Sequence, residues 1–418
     1  RRRRQFHKRV GEAFETLVPD RLEEEAHRLA EHFNEALILD KAQHYYTMAG
    51  DQAMQLSANR EAAEHFTKAL ALAKDAGKDD QLLGLYKRLG RNFELSGRYD
   101  DALNLSQEMH QLAAEQGIPA LKLQALLSEA TIRSTFTDKS DAKLGLQLAH
   151  DALALAQELG DPRAESRAYW NLSLLGTYTD RNAQQTIDFV ERAVAIARQH
   201  QLREELAFAL HDLARPYVMN GRIAEGERAL EEAAGLWRDL GRANMLADNR
   251  VTLAENLSLQ GDLEKAIVMA EEGLQISRRS SNNWGLAYAQ GTIAPILLET
   301  GHVDDALAAW EECLLAARRA NFTAPQDYAR AHMALSLAHL GDLARAFALL
   351  EKAQGLRGGV KLSTFQVLPE LGQAQLHLLA GNPQKAQQAL PGAKDRLELS
   401  RSEPIIFSLV INTEIMLK

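Results

Sequence analysis

Cysteine is almost absent. Cys313 stands alone in a chain of 418 residues, which excludes an internal disulfide framework and any cysteine-cluster metal site. Proline and glycine are also sparse, at 10 and 26 residues, too few for the many tight turns of a β-rich architecture. No apolar run approaches the roughly 18 residues that span a bilayer. No apolar stretch follows the opening arginines either, so no secretory leader is legible. The chain starts at Arg1 rather than at a methionine, and the expectation is a piece of a longer protein. The net charge of −9 argues against a generic binder of nucleic acid or anionic membrane. Catalytic signatures are missing as well. There is no GxxxxGK[ST] phosphate loop, GxGxxG, GxSxG, HExxH or EF-hand loop, and nothing in these residues points to an enzyme.

What remains is a composition of 46% hydrophobic and 25% charged residues, normal for a folded protein. The length exceeds the roughly 250–300 residues at which a single core stops growing, so the chain forms either several domains or an extended repeat. A repeat is visible. Small residues recur at Ala62, Ala102, Gly145, Thr186, Gly226, Ala266, Ala306, Ala346 and Ala386, in steps of 40 apart from one of 43 and one of 41. About twelve residues before them runs a second series: Gly50, Gly90, Ala130, Ser173, Ala214, Ala254, Ala294, Ala334 and Ala374. Between the two series lie Gly221, Gly261, Gly301, Gly341 and Gly381, each 40 apart.

Each unit reads as two helices joined by a turn. In residues 243–280 an apolar pattern of helical period stops at Gly261, Asp262 serves as N-cap, and a second helical pattern follows. Gly381-Asn382-Pro383 repeats this logic, with Gly as stop, Asn as cap and Pro at the first helical position. Antiparallel helices approach closely only over small side chains, and Phe66, Leu230, Trp310 and Leu350, four residues after the small residue of the second helix, fill the groove. One hairpin cannot bury its apolar face alone, whereas stacked hairpins can. The fold class expected is therefore all-α, an α-solenoid of about nine hairpins, with one helix before them near 21–37 and one after at 403–418. Residues 134–141 and 177–184 hold the turns that lengthen the third and fourth repeats.

This pattern of small, small, large, small residues resembles the tetratricopeptide repeat. Gly50, Ala62, Phe66 and Ala69 match it fully; Ala254, Ala266, Ala270 and Gly273, and Ala294, Ala306, Trp310 and Cys313, match with one altered position. The resemblance covers about residues 40–400. It implies a right-handed superhelix whose first helices line a concave, ligand-binding groove. Projected through the family's groove offsets, the early units offer His44, Asp51, Lys87 and Arg91. The middle units offer Arg167, Trp170, Phe208, His211, Arg215, Asp248, Glu255 and Tyr288, and the later ones Tyr328, Leu368 and Leu371. Rings supply contact area and Arg a hydrogen-bonding fork, which suits an anionic or peptide-like ligand. Pro216 and Pro295 lie inside first helices and should kink them. On the second helices, Glu191, Glu231, Glu271, Glu311 and Glu351, and Arg198, Arg238, Arg278 and Arg318, form two charge ladders on one face. They read as a solvated convex surface or as a docking face for a charged domain. The doublets His150-Asp151 and His211-Asp212 lie in different helices of their repeats, and no metal or other cofactor is expected.

The first 62 residues carry a second resemblance. Arg4 and His7, Pro19-Asp20-Arg21-Leu22, His27 and His32, Lys41-Ala42, Tyr45-Tyr46, Ala49-Gly50 and Ser57-Ala58-Asn59-Arg60-Glu61-Ala62 look like the junction in bacterial STAND-type signalling ATPases. In those proteins a nucleotide-binding module and winged helix lead into a tetratricopeptide sensor, as in ATPase-linked adenylate cyclases and LuxR-type regulators. The resemblance implies a cytoplasmic sensor. Residues 1–40 would be linker or arm helices joined to an upstream NTPase, and 41–402 the superhelical domain. An inducer in the groove would relieve autoinhibition, with neither membrane nor nucleic acid as a direct partner. A standalone scaffold or peptide receptor is the alternative.

Overall fold

The structure, a computed structural model, describes residues 1–398 other than 57, 78, 135–138, 180–182, 321 and 354–362. It gives the backbone alone for 79–80, 177–179, 183, 219, 323–324, 363–370 and 391–398. The expected helix at 403–418 and the side chain of Leu368 lie outside this set, as do parts of the two lengthened turns. Among the described residues there are twenty α-helices and no strand. No helix is long and apolar enough to cross a membrane. The chain divides into two compact units, Arg1–Ile132 and Arg133–Lys418.

Unit 1 opens with α1 (Arg2–Leu17), a short 3-10 turn (Pro19–Arg21) and α2 (Ala26–Glu35). Two α-helices thus precede the repeats; the small-residue pattern alone placed one near 21–37, and the second resemblance implied arm helices over 1–40. Repeat hairpins follow: α3 (Leu39–Gln55) with α4 (Asn59–Asp75), then α5 (Asp79–Leu95) with α6 (Tyr99–Gln116), and α7 (Pro119–Ser134) begins. The small-residue logic is visible atom by atom at Gly50, where an added Cβ would fall 2.5 Å from the ring of Phe66. Phe66 itself is wholly buried. The basic start is not a loose arm. Phe14 packs on the unit's core, Arg3 pairs with Glu35 at 2.8 Å, and Glu15 accepts hydrogen bonds from Lys41 at 2.6 Å and Tyr45 at 2.8 Å. His27 and His32 point apart, as their spacing requires. The ring of His27 lies 5.0 Å from that of His65, while His32 Nδ1 is 2.9 Å from His7 Nδ1.

Unit 2 contains α8 (Ala142–Leu159) and six hairpins. These are α9 (Pro162–Thr179) with α10 (Ala183–Gln199), α11 (Arg203–Met219) with α12 (Ile223–Asp239), α13 (Ala243–Leu259) with α14 (Leu263–Arg279), α15 (Asn283–Glu299) with α16 (Val303–Arg319), α17 (Thr323–His339) with α18 (Leu343–Glu351), and α19 (Ser363–Leu379) with α20 (Pro383–Glu398). The glycine ladder does what its spacing implies. Gly221, Gly261, Gly301, Gly341 and Gly381 all take left-handed φ between +73° and +90°, a region that side chains with a Cβ resist. Asp262, Asn282 and Asp342 each accept a backbone N–H from the first turn that follows, a cap contributing about 1 kcal/mol. Leu230, Trp310 and Leu350 are buried against the small residues as expected. Cys313 is enclosed too and donates to the carbonyl of Ala287 at 3.2 Å; burial pushes its thiol up to about 12. α11 and α15 both run on through Pro216 and Pro295.

The charge ladders lie on an exposed face, as one of the two readings had it, and several members are also tied to the next repeat. Glu191 accepts from Tyr217 at 2.7 Å and Arg222 at 3.0 Å, and Glu231 accepts from Arg250 at 3.1 Å. The arginines reach forward to the next repeat, Arg198 to Glu232 at 2.5 Å and Arg278 to Glu312 at 3.3 Å. The arginine ties bridge successive second helices, α10 to α12 and α14 to α16.

Candidate functional site

Geometry divides the predicted groove residues. His44, Asp51, Lys87 and Arg91 belong to unit 1, and the remainder to unit 2. In unit 1, His44 is exposed and edges the ring of Tyr45, Asp51 is paired with Arg88 at 2.9 Å, and Arg91 with Glu94 at 3.2 Å. Lys87 is partly buried on α5.

In unit 2 the first helices α9, α11, α13 and α15 bring most of the remaining candidates into one connected set. Trp170 on α9 lies 5.5 Å from the ring of Phe208 on α11 and donates its indole N–H to Asp212 at 2.5 Å. Phe208 meets Trp237 edge-on at 4.7 Å. His211 Nε2 lies 3.6 Å from Asp248 on α13. Arg215 donates to Glu255 at 3.0 Å, and Tyr288 on α15 donates to the same carboxylate at 2.8 Å. Thr252 stands between, 3.2 Å from the Tyr288 hydroxyl and 3.5 Å from His211. Arg167 is partly buried one turn before Trp170. Tyr328 belongs to a separate cluster, tilted against His332 at 4.4 Å and edge-on to Trp310 at 5.4 Å, and Leu371 is a core residue.

The set exists because repeats of constant length place equivalent positions on adjacent helices, and each side chain bonds to one about 40 residues away. Three members escaped the sequence reading: Asp212, Thr252 and Thr292, the last 3.5 Å from Glu255. Asp248, Thr252 and Glu255 follow the i, i+4, i+7 spacing of one helix face, a pattern that would have exposed Thr252. Asp212 was visible only as half of a His-Asp doublet, and the structure turns its two members to different partners.

Electrostatics differ from the sequence expectation. Arg215 is already engaged by Glu255, and three carboxylates, those of Asp212, Asp248 and Glu255, crowd around it. Burial and the neighbouring Asp212 and Glu255 charges push Asp248 up to about 6, against the opposing pull of His211 and Arg215. Burial raises Asp212 as well, and Tyr288 is held far above its ordinary range by burial and by Glu255. An anion would enter a field of the wrong sign; a group offering N–H donors or positive charge would enter one of the right sign. Among the described residues no cluster of three or more His, Cys, Asp or Glu side chains is arranged to hold a metal ion.

No protein-family model matches the chain, and no curated protein matches its sequence. Solved structures do match its fold. The Rap protein complexed with competence and sporulation factor superposes with a TM-score of 0.56 at 14% identity, over 87% of this chain and 98% of that one. Aspartyl phosphate phosphatase F from Bacillus subtilis gives 0.53 at 14% identity, over 85% and 96%. The human IFIT1 dimer with m7Gppp-AAAA gives 0.53 at 14% identity, over 89% and 80%. The chain has the fold of a tetratricopeptide-like α-solenoid.

Proposed function

We propose that this chain is the sensing domain of a STAND-type signalling NTPase. In this reading an inducer binds across α9, α11, α13 and α15, and binding relieves autoinhibition of an upstream nucleotide-binding domain. The observation that carries the reading is the unbroken line of polar and aromatic side chains from Trp170 through Phe208, His211, Asp248 and Glu255 to Tyr288, spread over four successive repeats. A ligand lying across four repeats changes the relation between neighbours, and in a repeat protein such changes add along the chain. The inducer must favour one arrangement over the other, since equal affinity for both would switch nothing. Rings at one end and clustered carboxylates at the other favour a peptide-like ligand bearing a basic or amide group. The same fold in the Rap protein holds competence and sporulation factor, which supports a ligand-binding role. The sensor assignment rests on the resemblance of residues 1–62 to the STAND junction.

A thermal-shift screen of short basic and neutral peptides tests the site. A true ligand raises the unfolding temperature of the wild type and loses most of its effect in Trp170→Ala and Glu255→Gln; equal shifts in all three would place the site elsewhere. The purified chain should hydrolyse no ATP, while the full-length protein should do so faster with the ligand present. A scaffold is the second reading, and the coding sequence upstream of Arg1 separates the two: a phosphate loop followed by a winged helix fits the sensor, a nearby start codon the scaffold.

A further inference from the structure

The ties between second helices follow a rule. A cation near the end of one second helix bonds a glutamate thirty-four residues later, on the next: Lys74 with Glu108, Arg198 with Glu232, and Arg278 with Glu312. Arg238 and Glu272 repeat the same pair of residue types. At Arg318 the rule breaks, because the position that should carry its carboxylate is Lys352.

A cavity of about 420 Å³ lies at the break, with Arg318, Arg345 and Lys352 on its wall and Glu311 as the one acidic group among its described lining residues. Arg345 is partly neutralised by Asp342 at 3.5 Å, which leaves Arg318 and Lys352 as two like charges facing one space. Its other walls are apolar. Leu314 and Met333 are buried at the back, and Leu315 stands half-exposed in it at 50%. Beside it α18 ends at Glu351 after nine residues, against 17 for α14 and α16.

We infer that this cavity, separate from the first-helix face, binds a small amphiphilic organic anion, a carboxylate or sulfonate on an apolar body, whose charge takes the place of the missing glutamate between Arg318 and Lys352. The volume falls in the range of small-molecule sites, roughly 300–1,000 Å³. Paired cations that cannot satisfy each other favour an anion, and a guanidinium offers it a fork of donors. The apolar wall supplies contact area, so charge and greasy body are both required.

The probe is anilinonaphthalene sulfonate, followed by fluorescence, with uncharged phenylnaphthylamine as its comparison. Lys352→Glu recreates the pairing seen at Lys74–Glu108, Arg198–Glu232 and Arg278–Glu312, so it should keep or raise the unfolding temperature. It should weaken sulfonate binding about tenfold or more, the value of a lost charge-assisted bond, and leave the uncharged dye unaffected. Arg318→Gln should weaken the sulfonate in the same way and serves as the readout if Lys352→Glu fails to fold. Equal sulfonate affinity in wild type and variant, or binding of the uncharged dye to wild type as tightly as the sulfonate, would overturn the proposal. Neither result bears on Trp170 or Glu255, so the sensor reading stands or falls separately.

Discussion

Arg215 on α11 donates to Glu255 on α13 across 3.0 Å, and Tyr288 on α15 closes on the same carboxylate. Arg215, one of the three guanidinium groups that the sequence offered as an anion fork, therefore serves as an internal counter-charge. Replacing it with alanine takes the paired cation from Glu255 and a neighbouring positive charge from Asp212 and Asp248. We expect Arg215→Ala to destabilise by about 1–2 kcal/mol, and a double-mutant cycle with Glu255→Gln to return a coupling near 1 kcal/mol, the scale for a half-exposed pair. Urea unfolding measures both, and a coupling of zero would mean that the bond does not form in solution.

Asp248 gives the same cluster a pH signature. Its folded-state value near 6 exceeds the roughly 3.9 of an unfolded aspartate, so the folded protein binds this proton more tightly. Its contribution to stability is full below about pH 4, falls as pH rises to 6 and is flat above. His211, Asp212 and Arg215 from α11, Glu255 from α13 and Tyr288 from α15 are the titratable groups around it. Asp248→Asn, which removes the buried charge, should be more stable than wild type by about 1–2 kcal/mol at pH 7.5, with the gain gone near pH 4. Thermal melts across that range show whether the difference collapses.

Two glycines predict opposite outcomes for one substitution. Gly50→Ala drives a Cβ to 2.5 Å from the buried ring of Phe66 and should cost about 1–2 kcal/mol net of helix propensity. Gly235, inside α12, has nothing within 4 Å of such a Cβ, so Gly235→Ala should stabilise by up to about 1 kcal/mol. Chemical denaturation of the two variants side by side makes the contrast.

Left-handed backbone also occurs where no glycine relieves it. Gln201 and Ser281 have φ of +55° and +53° between one hairpin and the next, where Gly241 serves at the equivalent position. Ser281→Gly and Gln201→Gly should each stabilise by about 0.5–1 kcal/mol. A loss of stability in both would show that the native turn differs.

The hairpin fold was legible because its determinants are local and periodic. Gly261, Asp262 and the small residue at Ala266 specify a stop, a cap and a close approach within a few residues of one another. The first-helix face was legible as a set of positions, since Trp170, Phe208, His211, Arg215, Asp248, Glu255 and Tyr288 follow from the stride. Their partners were not. Which carboxylate Arg215 takes, or that Asp212 receives the Trp170 indole, depends on side-chain reach between repeats that no single-helix pattern encodes. The ladders were legible as one face for the same reason, whereas their partners in the next repeat, Glu232 for Arg198 and Glu312 for Arg278, were not.

Because the stride is almost constant and each tie reaches only to an adjacent repeat, a whole forty-residue cassette is exchangeable. Duplicating or excising one would recreate most of the same joints on either side, so the number of repeats is free to change by unequal recombination. A copy of the cassette ending at Arg318 would carry its two facing cations, and not the common tie, into the new place.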